Sequence, residues 1–161
     1  MEALPYGVQR MSADIEGLVE TSVNLGITEL SAETFTLKYS IRSSVATAFR
    51  AVVDKIEFVA SCFGASSAVH SEYPAWEYVR ESAFRDEAAA IYRELFGKEL
   101  SVQAIHAGLE CGILSGKIKN LDAVSIGPDM RDIHTPEERL NIPSTKRVYD
   151  FVVKIIEHKS K

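Results

Sequence analysis

Alternation sets in at Leu18. From there to Ile27 the residues Val19, Thr21, Val23, Leu25 and Ile27 take one side of the chain, and Glu20, Ser22, Asn24 and Gly26 take the other. A period of two predicts a half-buried strand. After "ELSAE" the pattern returns, with Phe35, Leu37, Tyr39 and Ile41 against Thr36, Lys38, Ser40 and Arg42. The period then lengthens. Val45, Phe49, Val52, Val53, Ile56, Val59, Ala60 and Phe63 recur at helical spacing, so a helix is expected with Ser43 or Ser44 as its cap and Gly64 at its end. A short strand near residues 67–72 would complete a β-β-α-β unit.

The character changes at "YPAWEYVRES", where aromatic residues, a proline and charges mark a connector. Beyond it the expected order is a helix over 82–96, a strand over 101–106, a short helix over 109–115, a strand over 122–126 and a final helix. That last helix has Asn141 or Ser144 for its cap, Pro143 near its start, and a stripe of Val148, Phe151, Val152, Ile155 and Ile156. Strands alternating with helices point to a mainly parallel α/β layer. The expectation is a mixed α+β and α/β chain in two unlike pieces, 1–75 and 76–161, the second with too few strands for an ordinary enzyme sheet.

Composition narrows the function classes. A net charge of −5 argues against nucleic acid, which needs a basic face. No apolar run approaches the roughly 20 residues of a membrane span. "MEALPYGVQRM" has neither the basic nor the apolar region of a signal peptide. Cys62 and Cys111 stand far apart in apolar or small-residue surroundings, as free thiols do in a reducing compartment. A cytoplasmic, non-membrane protein is expected.

Three places could carry chemistry. In "SIGPDMRDIHTPEERLNIPS" the segment from Thr135 to Glu138 reads as a capping box: Thr at the cap, Pro next, Glu third. His134 is the residue the box does not explain. It is either a turn histidine or a metal ligand held at the carboxyl end of a strand, where α/β sheets build their sites. In "AIHAGLECG" a strand delivers His106, and Gly108 allows a tight turn or close backbone approach before a helix starts at Leu109. Glu110 and Cys111 fall in its first turn, where a glutamate also suits the helix dipole. Arg42 ends the polar face of the second strand; it is a solvated arginine or a fork for a carboxylate. His70 and His158 read as solvated.

Taken together, "GLVETSVNLG", "YSIRSS", "IHAGLECGILSGK" and "SIGPDMRDIHTPEERLNIPS" resemble the C-terminal part of the bacterial aminoacyl-histidine (Xaa-His) dipeptidases of the M20 metallopeptidase family. The resemblance implies half of a lid domain over 1–75 and the last strands and helices of a catalytic domain over 76–161. By the same resemblance His134 is a ligand to one zinc of a two-zinc centre, Arg42 grips the substrate's C-terminal carboxylate, and the Gly108 backbone helps bind that end. The reaction implied is hydrolysis of Xaa-His dipeptides by a metal-bound water that a glutamate deprotonates, with homodimer contacts through the lid. The other ligands and that glutamate have no counterpart in these residues. No catalytic residue and no tightly bound zinc are therefore expected in this chain by itself, since catalytic zinc needs about three protein ligands. Two other classes compete: a non-enzymatic dimerisation or binding module built on the lid-like unit, and a small-anion binder using Arg42 and the turn at Gly108.

Overall fold

The structure, a computed structural model, describes residues 3–106 and 109–160. In chain order the elements are β1 (Gly7–Met11), β2 (Val19–Leu30), β3 (Phe35–Ser43), α1 (Ala46–Cys62), α2 (Ala83–Phe96), α3 (Glu110–Lys117), β4 (Met130–Arg131), β5 (Arg139–Leu140) and α4 (Ile142–Lys159). They fall into two compact units. One is Met1–Arg80 with Gln103–Leu121; the other is Glu81–Val102 with Asp122–Lys161. The mixed α+β composition expected from the sequence is the one found.

The first unit is an antiparallel sheet in the order β1-β2-β3, with α1 against β3. β2 and β3 are the two alternating stretches, and their register pairs Thr21 with Ser43, Ser22 with Arg42, and Val23 with Ile41. Thr21 and Val23 are almost fully buried, as are Val52 and Val53 of α1. β1 is a strand that hydrophobic periodicity does not announce, being short and bulged against β2. The expected serine cap of α1 does not form. Its N-cap is Val45, without a side-chain hydrogen bond, because register makes Ser43 the last residue of β3. There its Oγ lies 2.9 Å from Thr21 Oγ1 and accepts from the Val45 amide. Gly64 does follow the end of α1 with a left-handed φ of 68°, a conformation that costs glycine nothing.

In the second unit α2 packs on α4 around Ala88, Ile91, Phe151 and Ile155, with Tyr92 edge-on to Phe151 at 5.2 Å between ring centres. Both helices are capped by local chemistry. Ser82 Oγ accepts from the Arg85 amide, and Gly97 closes α2 with φ 65°. Asn141 Oδ1 accepts from the Ser144 amide, with proline in the first turn of α4.

The three remaining expected strands, over 67–72, 101–106 and 122–126, are not formed. A strand exists only through a ladder with a neighbour. Among the described residues the only ladders join β1-β2-β3 and β4-β5. The apolar residues that prompted the expectation stand exposed, Val69 at 43%, Val102 at 53%, Ile105 at 56% and Ile126 at 39%. The expected helix start at Thr135 is not formed either: residues 132–138 are the loop of the β4-β5 hairpin. Among the described residues no helix is long and apolar enough to cross a membrane.

Candidate functional site

Register alone brings the first candidates together. Ser22 and Arg42 are direct partners across β2 and β3, and residues so paired project from the same face with Cβ atoms roughly 5 Å apart. His106 reaches that face from the segment before α3, its Nε2 2.7 Å from Ser22 Oγ. Desolvation holds the imidazole pKa below its ordinary value, the Arg42 charge adds to this, and a hydrogen bond with the Val19 backbone opposes both. The neutral ring is thus favoured. Arg42 itself is exposed, and among the described residues no carboxylate pairs with it. Arg10, by contrast, reaches buried Glu20 at 3.2 Å. An open guanidinium beside a neutral imidazole and a hydroxyl is a surface suited to an anion.

Gly108, expected to contribute its backbone, lies outside the described residues. α3 begins just beyond it, with Leu109 as N-cap and Glu110 in the first turn. The helix sits tightly on the connector: a Cβ on Gly112 would meet the Pro74 carbonyl oxygen at 2.7 Å. Cys111 is a half-buried free thiol.

His134 stands in the second unit, at the tip of the β4-β5 hairpin. Its backbone amide donates to Glu138 Oε2 at 2.9 Å. Thr135 Oγ1 donates to the Asp132 carbonyl at 2.7 Å and accepts from the Glu137 amide, and Arg139 pairs with Asp132 at 2.5 Å. The Thr and Glu of the expected capping box therefore do bond backbone groups, but they close a loop rather than start a helix. His134 has φ 67° and Asp132 φ 55°, left-handed conformations uncommon outside glycine. Below the loop, Asp129 ties the hairpin to α4. Its carbonyl accepts from the Asn141 amide, its amide donates to Ser144 Oγ, and its carboxylate accepts from Arg147.

Arg42 and His106 are thus brought together, and Ser22 joins them. Sequence reasoning missed Ser22. Its place on the polar face of an alternating strand marks it as exposed, but nothing local announces a histidine 84 residues further on. Among the described residues no group of three or more His, Cys, Asp or Glu could hold a metal ion, and His134 offers a single imidazole. The described residues do not make a zinc site by themselves.

No family model matches the chain. It is 31% identical over 157 residues to the cytosol non-specific dipeptidase of Escherichia coli (strain K12), a match covering 98% of this chain and 32% of that protein. Among solved structures it is similar to the aminoacylhistidine dipeptidase from Vibrio alginolyticus, with a TM-score of 0.84 and 33% identity over 97% of this chain and 32% of that one. The chain spans about a third of the length of each of these two relatives. The resemblance carried by the four sequence segments thus extends over nearly the whole chain.

Proposed function

We propose that this chain is one part of a zinc-dependent dipeptidase acting on Xaa-His dipeptides, with part of the lid in residues 1–75 and the C-terminal part of the catalytic domain in 76–161. The observation that carries the reading is the near-complete coverage of this chain by two dipeptidases of which it spans about a third. The exposed apolar runs support it, since Val69, Val102, Ile105 and Ile126 are residues a longer protein would cover with neighbouring strands.

In this reading Arg42 binds the C-terminal carboxylate of the dipeptide, bidentately and with a charge-assisted bond. The Gly108 backbone borders the same end. His134 supplies one ligand to one zinc, and the hairpin loop fixes the backbone that carries it. The other ligands and the general base belong to the rest of the parent protein, so this chain by itself does not turn over substrate. A cytoplasmic location is in keeping with the cytosol dipeptidase of Escherichia coli, and a homodimer would form through the lid.

The test is dipeptide hydrolysis by the longer protein containing this chain, with Arg42→Ala beside it. Loss of the guanidinium should lower kcat/KM by the equivalent of about 1.5–3 kcal/mol, with the fold retained because the residue is exposed. A wild-type longer protein that cleaves no dipeptide would instead favour a non-enzymatic binding module built on the first unit.

A further inference from the structure

We propose that Ser144 is the positioning residue for His134: its buried hydroxyl fastens the base of the β4-β5 hairpin to the first turn of α4. The helix, rather than the hairpin's own ladder, then sets where the imidazole stands. The proposal rests on the dipeptidase reading only for the task it gives that ring.

By itself the hairpin has little to hold it. Its ladder joins Met130 to Leu140 and Arg131 to Arg139, and all four residues are exposed, so no buried apolar face supports it. An isolated two-stranded hairpin is marginal in water. The bonds made by Thr135 and Glu138 close the loop on its own residues and do not reach α4. Ser144 supplies the tie. It is 2% exposed, and its Oγ accepts from the Asp129 amide at 2.8 Å and donates to the Asn141 carbonyl at 2.7 Å. Asp129 directly precedes β4 and Asn141 directly follows β5, so one hydroxyl pins both strand ends. The Asn141 amide bonds the Asp129 carbonyl beside it at 2.9 Å. The ion pair of Asp129 with Arg147 is a second link, but both side chains are exposed, where such a pair contributes little. The cap of α4 is a different bond, from the Ser144 amide to Asn141 Oδ1, and it does not touch Asp129. Tie and cap are therefore separable: Ser144→Ala removes the first and Asn141→Ala the second. Alanine is also the better helix former, so α4 persists in both variants.

The experiment is NMR relaxation of the backbone amides in this chain, with turnover of the longer protein beside it. In the wild type the order parameter at His134 should be about 0.85, that of rigid backbone, and Ser144→Ala should bring it below about 0.6. Hydrogen exchange at the Asn141 amide should quicken about tenfold as the strand ends part. Asn141→Ala should lower the unfolding midpoint at least as much and leave His134 rigid. In the longer protein Ser144→Ala should lower kcat about tenfold with KM within about twofold, because Arg42 belongs to the other unit, and Asn141→Ala should change neither. A His134 already flexible in the wild type, unmoved by Ser144→Ala, or loosened equally by Asn141→Ala would overturn the proposal. So would a loosened loop with kcat unchanged. A longer wild-type protein that cleaves no dipeptide would sink the dipeptidase reading instead, and relaxation in this chain would still decide the role of Ser144.

Discussion

His134 holds a left-handed backbone at φ 67°, a conformation in which asparagine and glycine are at ease and a β-branched side chain is not. The hairpin loop imposes it through the Glu138 carboxylate on the His134 amide and through Thr135 on Asp132. Two substitutions separate this backbone demand from the chemistry of the ring. His134→Asn should leave stability within about 0.5 kcal/mol of wild type, as an exposed site ordinarily does. His134→Val should cost about 1–2 kcal/mol, and denaturant unfolding of both variants measures the difference. Equal stability of the two would mean that the loop does not depend on this conformation. The sequence singles out His134 but misreads its setting. "HTPEE" carries the Thr, Pro and Glu of a helix start, and those bonds form locally. The pairing of Met130 with Leu140 and of Arg131 with Arg139 is what turns them into a loop, and pairing is not a local property.

The elements legible in the sequence are those whose ends are fixed by their own residues. Ser82 and Gly97 bracket α2, and Asn141 opens α4; each acts within a few positions of itself. Ser43 was misassigned because its partner, Thr21, is 22 residues away. The runs over 67–72, 101–106 and 122–126 have the composition of strands but lack a ladder, and composition does not supply the neighbour. The start of α2 also makes a pH prediction. Asp122 accepts from Ser82 Oγ at 2.6 Å and from the Phe84 amide at 2.9 Å. These bonds, the Ser82 one foremost, hold its pKa below the ordinary 3.8. A carboxylate with a depressed folded pKa contributes its stability above the unfolded value, and the contribution is lost as pH falls through the folded one. Unfolding by urea at pH 7 and at successively lower values to about pH 2 should therefore show the α2-α4 unit weakening below about pH 4. Asp122→Ala should flatten that part of the profile. An unchanged slope in the variant would assign the acid sensitivity to other groups.

At the scale of the whole molecule, order along the chain and order in space diverge. Residues 103–121 join the first unit although α2 intervenes, and His106 meets Ser22 for that reason. The candidate list was legible where it belongs to single residues, as with Arg42, His106 and His134. It was not legible where it depends on which strand lies beside which, as with Ser22. The central claim is that this chain contributes a metal-ligating histidine and a carboxylate clamp to a dipeptidase of about three times its length. Its most direct test is metal content measured beside Xaa-His dipeptide turnover in the longer protein, for the wild type and for His134→Ala. The account predicts two zinc ions in the wild type, and in the variant the loss of one zinc with nearly all turnover while the fold persists. Two zinc ions retained with near-normal turnover in His134→Ala would contradict it.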